Sequence, residues 1–162
     1  MSFKDCPKFA IDDDYMTPKY AWEQISEYIP KDKVIWECFY GDGKSGQHLR
    51  DLGCFEVIHE PIDFFTNNNG EVLISNMPFT VKQEVFARLK ELDKPFIMLV
   101  PSSTIQSLYW YELFGKDAIQ IILPCRKVQY LSSTKTLKKS GCSFNSVYVC
   151  YKMGLPRDVV WI

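Results

Sequence analysis

VIWECFYGDGKSGQHLRDLG, residues 34–53, decides the fold. Val34, Ile35 and Trp36 form an apolar run of strand length. Gly41, Gly43 and Gly46 then break the chain into a loop, which passes into a helix ending near Gly53. A strand that turns through glycines into a helix is the first half of a β-α-β unit, and FEVIH (55–59) supplies the next strand. Working outward, PKYAWEQISEYI (18–29) reads as a helix, with Thr17 as its cap and Pro18 at its first position. Downstream, VLIS (72–75) is a third strand after the polar turn TNNNG, and Val81, Val85, Leu89 and Leu92 mark a helix over 81–91. PFIMLV (95–100) is a strongly buried strand, residues 103–114 are helical, and AIQIIL (118–123) and SVYVCY (146–151) are late strands. The last two lack a helix between them and are expected to pair antiparallel at one edge. The alternation predicts an α/β fold: a mostly parallel central sheet with helices on both faces.

At 162 residues the chain has room for one domain and no separate substrate domain. Apolar residues at 46% and charged residues at 24% describe an ordinary globule, and no apolar run reaches membrane-span length. No signal peptide is legible in MSFKDCPKF. The six cysteines show no C-x-x-C pair and there are only two histidines, so neither a disulfide scaffold nor a metal cluster is indicated. Reduced cysteines imply an intracellular, reducing compartment. The net charge of −1 hides an asymmetry. Residues 1–65 are rich in acids, whereas residues 124–152 carry Arg126, Lys127, Lys135, Lys138, Lys139 and Lys152 with no acid. That stretch is either a surface for a polyanion or a solvated basic loop.

Open parallel sheets bind ligands beyond the carboxyl ends of their strands, near the switch point. Three features fall there: Glu37–Gly46, Glu60–Phe65 and Asn76–Phe79. The glycine loop has neither the G-x-G-x-x-G nor the G-x-x-x-x-G-K-[ST] spacing of nucleotide-phosphate sites. A Glu37 carboxylate facing the mouth of the loop repels phosphate and welcomes an ammonium or sulfonium. Glu60 suits ribose hydroxyls, Asp63 suits an adenine amine, and of Phe64 and Phe65 one is expected in the core and one toward a ligand. Neither histidine is read as catalytic: His48 is a surface or local packing residue, and His59, ending a strand next to Glu60, at most forms a hydrogen bond near the site.

E-C-F-Y-G-D-G (37–43) resembles the first motif of the class I S-adenosylmethionine-dependent methyltransferases, and Asn76-Met77-Pro78-Phe79 resembles the Asn/Asp-Pro-Pro-Tyr/Phe motif of their amino-group members. Tyr15-Met16-Thr17-Pro18, ahead of the first strand, resembles the segment that DNA N6-adenine enzymes place beside the cofactor's methionine moiety. Short phage- and virus-encoded members are similar in length. The resemblance implies a Rossmann-like αβα fold in one domain over 1–162: an N-terminal helix segment at 14–30, a cofactor half at about 31–75 and a target half at about 76–162. It implies S-adenosylmethionine as cofactor, held by Tyr15, Thr17, Pro18, Glu37, Phe39, Gly41, Gly43, Glu60, Asp63 and Phe64. It implies that Asn76 and the Met77 carbonyl accept hydrogen bonds from the target amine, that Pro78 stiffens the turn and that Phe79 stacks on the base. Met77 stands where the family has proline, and no target-recognition domain fits in the chain. The expected partner is nucleic acid, DNA before RNA, with a protein partner as a further source of recognition. Methyl transfer to RNA or protein glutamine, NAD binding on the same fold, and a catalytically degenerate binding domain are the alternatives.

Overall fold

The computed structural model describes residues 15–132 and 143–162. Seven strands form one sheet in the order β2-β1-β3-β4-β6-β5-β7: β1 Val34–Trp36, β2 Glu56–Ile58, β3 Val72–Asn76, β4 Phe96–Pro101, β5 Ile119–Leu123, β6 Ser146–Tyr151 and β7 Val159–Trp161. β1 to β4 are parallel, β6 runs antiparallel to both β4 and β5, and β7 is parallel to β5. Six strands therefore point one way and β6 alone opposes them.

Alternation along each strand divides the core into two layers. Ile35, Ile74, Ile97, Leu99, Tyr148 and Cys150 face α1 (Lys19–Glu23) and α2 (Ser45–Asp51), through Ala21, Trp22 and Leu49. Trp36, Leu73, Met98, Val100, Val147 and Val149 face α3 (Lys82–Leu92) and α4 (Leu108–Phe114), through Val85, Phe86, Leu89, Trp110 and Phe114. Helices thus flank both faces of a mixed sheet.

The strands predicted at 34–36, 55–59, 72–75, 95–100, 118–123 and 146–151 all form, with ends shifted by a residue or so. Three findings correct the sequence reading. The antiparallel strand is not at the edge: β6 inserts between β4 and β5. The edge belongs instead to β7, which the sequence reading leaves out. The helix expected over 18–29 is a five-residue α1 followed by a 3₁₀ turn at Ser26–Tyr28. Pro18, at φ −69° and ψ 152°, is its extended N-cap, and no side chain caps the helix.

No helix joins β2 to β3. Residues 59–71 cross instead as a loop, whose Phe64 packs on Trp36 at 5.6 Å and on Phe39 at 5.0 Å between ring centroids. Arg88 Nη2 donates to Asn67 O, and Lys94 Nζ to Gly70 O at 2.6 Å, tying the loop to the α3 side. The chain order reverses at β1, which pairs with β2 on one side and β3 on the other. Glu37 and Asn76 therefore sit beside each other at the carboxyl ends of adjacent strands, at the switch point.

Candidate functional site

The cleft at that switch point is lined by three segments remote in sequence: Tyr15–Thr17, a stretch from Glu37 to Ser45, and Asn76–Phe79. An antiparallel bridge holds the first in place, with Met16 N donating to Leu131 O and Leu131 N to Met16 O, at 2.8 and 2.9 Å. Tyr15 is thereby set over the end of β3, where its carbonyl accepts from Asn76 Nδ2 at 2.8 Å. A carbonyl only accepts, so this bond identifies the amide nitrogen and leaves Asn76 Oδ1 as the free end. That oxygen is buried and has no hydrogen-bond partner. An orphaned acceptor lining a cleft is costly in isolation, by roughly 1–3 kcal/mol. Its chemistry fits an N–H donor.

The glycine loop makes a tight turn, with Gly43 N donating to Tyr40 O, and both Gly41 (φ 56°) and Gly43 (φ 81°) are left-handed. Behind it, Glu37 is only 2% exposed. Its Oε1 accepts from Ser75 Oγ and from Phe39 N, and its Oε2 lies 2.7 Å from His59 Nε2. The contact to His59 is an ion-pair approach rather than an in-line hydrogen bond. The expectation of a carboxylate facing the mouth is therefore corrected: Glu37 lines the floor with its oxygens turned inward. On the other side of the ring, His59 Nδ1 accepts from Gly46 N at 2.9 Å. Burial alone lowers the His59 pKa, but Glu37, by contact and by charge, outweighs it and raises the imidazole above its ordinary range.

Aromatic rings pack beside the cleft. Tyr15, Phe79, Tyr130 and Phe144 pack together; Phe79 lies 5.3 Å from Tyr15 and meets Phe144 edge to face at 5.2 Å and 89°. The cleft has room of about 30 Å³, enough for a water molecule or two.

The structure thus brings together Tyr15, Thr17, Glu37, Phe39, Gly41, Asn76, Met77, Pro78 and Phe79 in one cleft. Gly43 is part of the same loop, and Pro18 caps α1 next to Thr17. Glu60, Asp63 and Phe64 do not line it. Glu60 is exposed after β2, and Asp63 Oδ1 accepts from Phe65 N within its own turn. Phe64 is buried at 3% among Trp36 and Phe39, and Phe65 at 37% is the exposed neighbour. Phe64 is thus a core residue, which corrects its placement toward a ligand, and Phe65 is the exposed ring of the pair. Arg126 and Lys127 are exposed at a second cavity, while Lys135, Lys138 and Lys139 lie outside the described residues. Tyr130, Phe144 and the structural role of His59 escape sequence reasoning. The signal available for His59 is its place at a strand end facing a helix that opens on glycine. Among the described residues there is no group of three or more metal-ligating side chains, and no helix is long and apolar enough to cross a membrane.

No protein-family model and no curated protein matches the chain. Among solved structures it is similar to precorrin-6y C5,15-methyltransferase of Geobacter metallireducens, at 12% identity and a TM-score of 0.48 over 91% of this chain and 100% of that one. It is also similar to a Listeria monocytogenes protein described provisionally as a class I S-adenosylmethionine-dependent methyltransferase, at 13% identity and a TM-score of 0.49. That alignment covers 94% of this chain and 66% of the Listeria protein. Likeness at this level says nothing of substrate.

Proposed function

We propose that the chain is an S-adenosylmethionine-dependent N-methyltransferase whose target is an exocyclic amine, the N6 amine of adenine in DNA. The observation that carries the reading is the unpartnered, buried Asn76 Oδ1 in a cleft where three motif-like segments converge. When bound, S-adenosylmethionine supplies a methyl group already activated by its sulfonium. The residues that line the cleft and would hold such a group are Thr17, Phe39, Asp42 and the left-handed Gly41, whereas Glu60 and Asp63 lie outside it.

An aromatic amine is a poor nucleophile because its lone pair feeds the ring. Asn76 Oδ1 and the Met77 carbonyl, each accepting one N–H, return electron density to nitrogen as it bonds to carbon. Asn76 is neutral and takes no proton, so the proton shed by the methylated amine leaves to water. Pro78 (φ −64°, ψ 128°) keeps the turn extended and restrains Met77. Phe79 offers the stacking face once the aromatic cluster opens. The rival NAD reading finds less support: Gly46 N, a first-turn donor that a pyrophosphate needs, is already bound to His59.

Methyl transfer from labelled S-adenosylmethionine to unmethylated DNA, transfer RNA, ribosomal RNA and cell protein, run side by side, tests the proposal. DNA adenine is the expected acceptor. Asn76→Ala should lower turnover roughly 10²–10³-fold, the usual loss for one preorganised polar contact to a reacting group, while calorimetric affinity for the cofactor stays within a few-fold. Equal rates for wild type and variant remove Asn76 from the mechanism. No transfer to any acceptor, with or without a partner protein, leaves a non-catalytic domain.

A further inference from the structure

A second cavity of about 290 Å³ opens on the same edge of the sheet. Its walls include Ser102 after β4, Pro124, Arg126 and Lys127 after β5, Asn145 before β6 and Trp161 at the end of β7. Because β6 runs backwards, its amino end lies with the carboxyl ends of the others, so all these segments meet at the edge that also carries Asn76. We propose that this cavity binds an unpaired nucleotide of the nucleic-acid substrate, its phosphate on Arg126 and Lys127 and its base on Trp161.

Three observations support that occupant. Trp161 is 71% exposed, while the other tryptophans, Trp22, Trp36 and Trp110, are at most 6% exposed. A large ring left in water on an edge strand offers a face that any base can cover. Next to it, Arg126 is exposed and makes no ion pair or hydrogen bond within the described residues. Residues 124–152 contain no acid to compete with a phosphate. The spacing also suits one strand serving both sites. From β3 to β5 is three strand spacings, roughly 14 Å, equal to about four stacked nucleotide rises of 3.4 Å and fewer in an extended strand. A strand whose target base enters between β1 and β3 therefore reaches the second cavity within a few nucleotides. This inference rests on the nucleic-acid substrate proposed above.

The tryptophans make the test direct, since an oligonucleotide reaching Trp161 quenches the one exposed indole. Short single-stranded DNA and RNA oligonucleotides and a DNA duplex are titrated separately, with Trp fluorescence and the anisotropy of an end label read together. Quenching by the single strands is expected, and the DNA and RNA arms rank the two sugars. Trp161→Leu should abolish the quench and weaken binding at least about five-fold. Arg126→Gln should keep the quench and lower the salt slope by about 0.7, one single-strand phosphate contact. Both residues are exposed, so both variants should fold. Full binding by anisotropy without quenching, or unchanged affinity in Trp161→Leu, overturns the proposal. Methyl transfer by the same proteins separates it from the catalytic reading. Quenching without any transfer supports the nucleotide site and sinks catalysis, while transfer with an unchanged KM in Trp161→Leu does the reverse.

Discussion

Gly46 has no room for a side chain: a Cβ there falls 2.4 Å from the Cβ of His59. This close approach lets one imidazole join the start of α2 to the carboxylate at the end of β1. The linkage has a sign. Glu37 raises the folded-state pKa of His59 above its unfolded value, so the pair's contribution is fully present below the unfolded value, about 6.5, and is lost as pH rises through the folded one. Gly46 N–H opposes the second proton at Nδ1, so the slope should stay below the full 1.36 kcal/mol per pH unit. Denaturant midpoints from pH 5.5 to 9 should fall for wild type across that window. Glu37→Gln should flatten the profile while costing about 1–3 kcal/mol at low pH. A wild-type profile as flat as the variant's removes the coupling. Only part of this was legible in the sequence. Glu37 at a strand end before glycines was readable as a site residue, but its direction was not, because Ser75 and His59 that turn it inward come from other strands.

Among the elements, strands buried on both faces announced themselves. PFIMLV and, after Ser146, SVYVCY are apolar because α-helical layers cover both their sides. β7 did not: Val159–Trp161 is an apolar run as short as VIW, but it follows the turn after β6 with no helix before it, so the alternation of strands with helices does not point to it, and it forms as an edge strand with the pattern exposed, buried, exposed. α1 misled for a different reason. Ala21, Trp22 and Ile25 do keep helical spacing and are fully buried, yet Ile25 leaves helical geometry (φ −108°, ψ 10°) and the chain continues as a 3₁₀ turn. Apolar spacing reports a buried face, not continuous hydrogen bonding. The interior position of β6 has a chemical readout. Cys150 on it is buried, which pushes its thiol up to about 12, and Cys38 and Cys54 are also raised by burial. Cys125 is exposed. In a chain with Cys6→Ser and Cys142→Ser, a thiol reagent at pH 8 should label Cys125 quickly and the other three only as fast as the protein unfolds. Fast labelling of Cys150 contradicts an interior β6.

For the whole molecule, the parallel run of β1 to β4 and the meeting of residues 37–46 with 76–79 at one edge of the sheet follow from the alternation of short apolar runs with helices, although a loop and no helix joins β2 to β3. The aromatic cluster beside the cleft does not, because its four rings come from positions 15, 79, 130 and 144 and meet only in the finished fold. The placement of β6 carries this dependence into the order of assembly. β6 is made after β5 but lies between β5 and β4, so β5 cannot reach the parallel sheet until residues 146–151 arrive to bridge them. Until then a nascent chain carries the apolar β4 with one open edge, the kind of edge that recruits other chains. A fragment of residues 1–132 should accordingly be cut by protease at unfolded-chain rates, and a peptide of residues 143–162 added in trans should restore protection. Resistance of the fragment alone contradicts this order. Synthesis of the last strands thus acts as a checkpoint: a ribosome that stalls before Phe144 releases a chain in which Trp161 is missing and Tyr15 and Phe79 have no Phe144 to meet.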